Sequence, residues 1–186
     1  ARGFTFDYIS DRQLAGAKTV NQTIVVPGGQ YRAVVVPECD HIPLATLEKL
    51  IALAEAGAPV IFEDHLPADV PGLGGLERRR AELKKLLARI KERQSPPAAD
   101  PGASKAPTLG KDVELLLTKA GVVRESLVDH ERLLFIRRSL GGGRLYFIAN
   151  RGEQPLNGWV PLATKAASVA IMDAMTGQAG IGALRQ

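Results

Sequence analysis

The sequence predicts an α/β fold, a parallel-sheet module followed by a small β-rich part. Two observations carry the first half of that reading. A strand-like run, Tyr31 to Val36 (YRAVVV), and a second one, Ala58 to Phe62 (APVIF), flank a stretch with helical apolar spacing, Pro43 to Gly57. Strand, helix and strand over about 30 residues make a βαβ unit, whose crossover is nearly always right-handed. The third observation is a change of texture from Leu133, where two strand-like runs flank Gly141-Gly142-Gly143 as in a β-hairpin.

The elements follow in order. Phe4 to Ile9 alternates weakly and stops at Ser10-Asp11, which predicts a short strand and a turn. Thr23 to Val26 is a β-branched run stopped by Pro27-Gly28-Gly29, a strand and a tight turn. YRAVVV carries apolar residues in succession, which predicts a strand buried on both faces, as parallel strands are. In the helix, Leu44, Leu47, Leu50, Ile51 and Leu53 recur at helical spacing between Pro43 and Gly57. A Pro/Gly loop, Leu66 to Gly75, leads to a long helix with Leu76, Leu83, Leu86, Leu87 and Ile90 as its inward stripe. Gln94 to Pro107 (QSPPAADPGASKAP) has linker composition. Lys111 to Ala120 is a short helix closed by Gly121. Trp159-Val160 and Ser168 to Met172 are further short strands. The expected domains are an α/β module over 1–124, carrying the linker at 94–107, and a β-rich hairpin or sandwich over 125–186.

Composition narrows the class without naming a function. The 186 residues are 45% hydrophobic and 24% charged, which excludes a disordered chain, and 5% aromatic. No run reaches the roughly 18 apolar residues of a membrane span. One cysteine, Cys39, excludes an internal disulfide and a cysteine-based zinc site. The chain starts at Ala1 and its methionines are Met172 and Met175, which suggests a processed, cut or fragmentary chain; no signal segment is visible.

The net charge of +4 is concentrated in one element. Glu77 to Arg93 holds eight basic and three acidic residues, so that segment carries +5 and the remainder −1. A basic helix can meet phosphates. Here acidic residues interleave and no aromatic side chain is available to stack a base, so a solvated face is expected and no nucleic-acid partner.

The candidate pocket lies where chemistry-bearing residues follow strands. Asp40-His41 follows YRAVVV, and Glu63-Asp64-His65 follows APVIF. In open α/β sheets ligands bind outside the carboxyl ends of strands, so Asp40, His41, Asp64 and His65 are the candidate pocket residues, suited to acid/base work. The same residue types are ordinary turn and cap residues, and Asp40 can cap the next helix. Cys39, beside them, reads as a packing residue before a nucleophile. The triglycine lies between strands and Gly72-x-Gly74-Gly75 lacks the third spacing, so neither is a phosphate or dinucleotide loop. Ser10, Ser126, Ser139 and Ser168 sit in no nucleophile elbow. No pair of carboxylates is marked as a glycosidase pair. No catalytic residue, metal ligand or cofactor is assigned.

Three segments, FDYISDRQL, YRAVVVPECDHIPLATLEKLIALAEAGAPVIF and RLYFIANRGEQPLNGWVPL, together resemble the non-catalytic region of family 106 glycoside hydrolases, the α-L-rhamnosidase-like group. The likeness covers most of the chain outside the basic helix and the 94–107 linker. It implies a flavodoxin- or glutamine-amidotransferase-like parallel-sheet module, followed by a β-rich part opened by the YFIANR run at Tyr146 to Arg151. Where the family often has His-Arg-Arg before the hairpin turn, this chain has Arg137-Arg138-Ser139. The family's catalytic glutamates and calcium lie in a (β/α) barrel, which takes about 250 residues, so none carries over to this chain. The resemblance therefore implies an accessory, non-catalytic module or fragment of a rhamnosidase-like hydrolase acting on plant or microbial polysaccharide. Its partner is the rest of a larger hydrolase chain or a second copy, and a periplasmic or extracellular location is favoured. The alternatives are a small α/β hydrolase or ligand binder using the strand-end pocket, and a basic-helix binder of anionic polymers.

Overall fold

The βαβ unit forms where the apolar spacing places it, and a third strand extends it. The computed structural model describes residues 3–94 and 106–185. These make two compact units, residues 6–123 and the stretch from Arg124 onward joined by residues 3–5. Most of the expected linker, 95–105, lies outside the described residues.

The first unit opens with α1 (Asp11–Ala15), started by a capping box in which Ser10 accepts from the Gln13 backbone and Gln13 returns the bond. The strand expected over Phe4 to Ile9 is absent, because its alternation is too weak and it finds no pairing partner. An antiparallel sheet follows, in the order β1 (Lys18–Val20), β2 (Thr23–Val26), β3 (Gly29–Tyr31). Gly28 has φ +93°, so Pro27-Gly28 supplies the residue pair that a type II turn requires.

YRAVVV does not form one strand. Tyr31 closes β3, and β4 is Val34–Val36 alone. Nor is β4 buried on both faces, because the parallel sheet runs β4-β5-β6 and leaves it at an edge. The central strand is β5 (Val60–Glu63), where Val60, Ile61 and Phe62 are each 1% exposed. The third strand, β6 (Thr108–Gly110), pairs parallel to β5 directly after Pro107. Three residues without an apolar run give no strand signal.

The crossover helix α2 (Leu44–Glu55) buries Leu47, Leu50, Ile51, Leu53 and Ala54. It ends in a Schellman motif: Gly57 at φ +93° donates to Ala54 O at 2.8 Å, and Ala58 donates to Leu53 O at 3.0 Å. The basic helix is α3 (Leu76–Gln94), with Leu83 and Ile90 buried and Leu76, Leu86 and Leu87 packed on the same core. Arg89 and Arg93 pair with Glu55 of α2. α4 (Val113–Lys119) is capped by Asp112, which accepts from Leu115 N–H at 2.9 Å.

The second unit contains a 3-10 turn (Ser126–Asp129) and two separate hairpins. The first joins β7 (Leu133–Leu140) to β8 (Gly143–Asn150) through Gly141 and Gly142, both with positive φ, which a two-residue primed turn demands. The second joins β9 (Val169–Met172) to β10 (Ala179–Gly182). Trp159-Val160 is not a strand, and among the described residues each sheet of this unit has two strands. Among the described residues of this unit, the buried apolar side chains are Leu127 and Leu133. Among the described residues no helix is long and apolar enough to cross a membrane.

Candidate functional site

Parallel pairing of β4 and β5 sends both carboxyl ends to one edge of the sheet. Asp64, the first residue past β5, adopts φ +61°, a left-handed conformation that Asp tolerates better than most residues. Its N–H donates to Gly110 O at 3.1 Å, and the His65 N–H donates to Glu63 O at 2.8 Å. This turn sets the His65 ring between two carboxylates. His65 Nε2 lies 3.3 Å from Asp40 Oδ1, and Nδ1 lies 3.6 Å from Asp64 Oδ2. Lys111 Nζ lies 3.4 Å from Asp64 Oδ1.

Of the four candidates, Asp40, Asp64 and His65 are brought together and His41 is not. The His41 backbone bridges to Asp69, and Ile42 N–H donates to Asp69 O at 3.1 Å. A fifth residue joins the cluster. Glu38, with Asp64 and His65, presents ligand atoms all within 4.8 Å of one another. Two carboxylates and an imidazole suit a divalent cation such as Zn²⁺ or Mn²⁺, although Lys111 already competes for Asp64. The edge is open: the Asp40 side chain is 75% exposed and that of His65 37%. Burial and the adjacent Asp40 push the Cys39 thiol up, so the reactive thiolate is disfavoured there.

The basic helix is tied to its own surroundings. Arg80 Nε donates to Asp69 Oδ1 at 3.0 Å and Nη2 to Oδ2 at 2.5 Å. Those bonds, joined by the Val70 N–H, hold the Asp69 carboxyl well below the usual range. Arg79 donates to the carbonyls of Pro71, Gly72 and Gly74. Lys85 pairs with Glu82 at 2.9 Å. Cations spent on loop carbonyls and neighbouring carboxylates are poorly placed to track a phosphate backbone.

The second unit holds a buried carboxylate that no sequence motif marks. Glu125 is 0% exposed. Its Oε2 accepts from Tyr146 Oη at 2.7 Å and Arg137 Nη1 at 3.1 Å, while Oε1 accepts from Ala163 N–H at 2.9 Å and Leu127 N–H at 3.4 Å. Burial alone would raise its pKa, but the hydrogen bonds, led by that of Ala163, outweigh it and hold the carboxyl below its ordinary value. Burial, together with the bond to Glu125, raises the Tyr146 phenol. Four donors fill the acceptor sites of one carboxylate, so Glu125 organises the unit and has no lone pair left for a substrate proton. In the same unit a cavity of about 400 Å³ is lined by Gly3, Phe4, Val128, His130, Leu134 and Phe135, among others.

Comparison with known proteins places this geometry in context. A family model described as alpha-L-rhamnosidase, of the glycoside hydrolase 106 group, matches residues 1–180, and so spans the basic helix and the 94–107 segment as well. Among solved structures, the chain is similar to a rhamnosidase from Novosphingobium sp. PP1Y, with 25% identity and a TM-score of 0.59. The similarity covers 77% of this chain and 14% of that one. No curated protein matches.

Proposed function

Because the chain belongs to glycoside hydrolase family 106, the α-L-rhamnosidase family, we propose that it is a non-catalytic accessory region of such an enzyme. The observation that carries this reading is the share of the solved rhamnosidase it corresponds to, 14% of that chain. Glycosidic cleavage takes an acid and a second carboxylate facing across a sugar-binding cleft. Here Asp40 and Asp64 flank the same imidazole on an open edge, and Glu125 is saturated by its own unit. The barrel that holds the family's catalytic glutamates needs about 250 residues. We read β4-β5-β6, with its α2 crossover, as the minimal core of a flavodoxin- or glutamine-amidotransferase-like module whose role is packing within a larger enzyme that acts on rhamnose-containing polysaccharide.

The test is incubation of the purified chain with an aryl rhamnoside, with and without calcium. No turnover is expected. Turnover that survives purification and disappears in Asp40→Ala or Asp64→Ala would make the chain a compact enzyme and end this reading.

One observation favours a second reading, a ligand binder at the strand ends: Glu38, Asp64 and His65 arrive there from two different strands. A Zn²⁺ titration followed through the His65 imidazole signals separates the two. Saturable binding at micromolar metal, lost in His65→Ala, would favour the binder.

A further inference from the structure

The β7–β8 hairpin has one face that its own unit covers in part and one whose large apolar side chains are exposed. Its register pairs Leu134 with Ala149, Ile136 with Phe147, Arg138 with Leu145, and Leu140 with Gly143. Side chains opposite each other in an antiparallel pair project to the same side, so these residues share a face. On the alternate face Leu133 is buried, and Arg137 and Tyr146 donate to the Glu125 carboxylate. On the first face Leu134, Ile136, Leu140, Leu145 and Phe147 are between 50% and 68% exposed. Scattered exposed leucines are ordinary, but here five large apolar residues share one side of a two-stranded ribbon, with Arg138 as the charged residue among them.

Two further observations say that the face is made to be covered. A two-stranded hairpin is marginal in water without a third layer, and this unit buries only Leu127 and Leu133 as apolar ballast among its described residues. At the β7 edge, Leu134 borders the cavity that Phe4, Val128 and Phe135 also line, so the apolar surface continues past the strand. An occupant with an apolar surface at that edge meets both the hairpin face and the cavity beside it.

We propose that this outer face of β7–β8, centred on Ile136 and Phe147, is the docking surface on the remainder of a family 106 rhamnosidase chain. The inference rests on the accessory-region reading, and the occupant follows from the comparison: 86% of the solved rhamnosidase lies outside the part this chain resembles, leaving ample protein surface to meet an apolar face. Phe147 is the expected anchor, since aromatic side chains in desolvated centres carry most of the energy of such contacts.

The experiment uses the double variant Ile136→Thr/Phe147→Thr, because threonine keeps β-propensity while removing apolar surface. It is made in the chain alone and in the complete polypeptide that carries this region. In the chain alone the far-UV circular dichroism should not change, which excludes a folding defect, and binding of a hydrophobic dye should fall. In the complete polypeptide the Tm should fall by several degrees, with new proteolysis between residues 133 and 150. An unchanged Tm and an unchanged digest in the complete polypeptide would overturn the docking surface, while the accessory-region reading would stand or fall separately on the rhamnoside assay. Sedimentation of the chain alone as a dimer that the double variant dissociates would also overturn it, by giving the face to a second copy.

Discussion

The two units of this chain reach their folds by different means. The first has one apolar core to which α1, β2, α2, β5 and α3 all contribute, with Phe62, Leu47 and Ile90 at most 1% exposed. The second has two buried apolar residues among those described and is organised around a buried, four-fold hydrogen-bonded carboxylate, while its longest hairpin keeps an apolar face in solvent. Hydrophobic burial is non-directional and tolerant; a polar hub depends on every partner being in place. The first unit therefore has what it needs to fold by itself. The second is arranged as a surface waiting for a neighbour.

The largest effect expected from breaking this contrast is at the centre of the first core. Phe62→Ala should cost about 3–5 kcal/mol, read as a drop in urea midpoint with little change in slope. A smaller loss would mean that β5 can collapse around the missing ring. Glu125→Gln should come next, at about 1–3 kcal/mol, because an amide nitrogen cannot accept from Arg137, Tyr146 or a backbone N–H. The Tyr146 and Trp159 fluorescence of the second unit should report that loss while the helical signal of the first unit persists.

Acid separates the units in the same direction. A carboxyl held below its unfolded value stabilises the fold above that unfolded value, about 4.3 for Glu, and its contribution fades as pH falls through the folded value. Glu125 is such a group at the centre of the second unit. Asp69 is such a group in the first unit, but it fastens a half-exposed Arg80 at the periphery. Below about pH 4 the second unit should lose its tertiary signals before the first. Simultaneous loss would show that the hub is not what holds the second unit. The smallest effect is expected on the outer hairpin face: Phe147→Thr in the chain alone should shift stability by no more than about 0.5 kcal/mol, the scale of ordinary surface changes.

What could be read from the residues, and what could not, follows the same division. α2, α3 and β5 announce themselves because apolar periodicity is a property of the local sequence, and the first unit is stabilised by that periodicity. The β7–β8 hairpin is equally legible from two long runs around three glycines. β4 was harder, since a run of valines cannot tell an edge strand from a central one without knowing where β6 lies. Ser10 and Gln13 have capping-box spacing, but the weak alternation before them points toward a strand. At the strand ends, Asp40, Asp64 and His65 are legible as polar residues after apolar runs. Glu38 is not, because its approach to Asp64 depends on how the chain leaves β4. Glu125 leaves no trace at all: its partners Arg137, Tyr146 and Ala163 lie 12, 21 and 38 residues away and follow no pattern.

Hydrogen exchange on the chain alone tests the contrast most directly, since amide protection reports the free energy of local opening. The amides of Val60 to Phe62 should exchange only through global opening of the first unit. Those of the β7–β8 hairpin, residues 133–150, should exchange orders of magnitude faster, with the slowest of them nearest Leu133 beside the Glu125 hub. Equal protection of the two segments would contradict the account, because it would mean that the second unit is self-sufficient and its apolar face needs no cover.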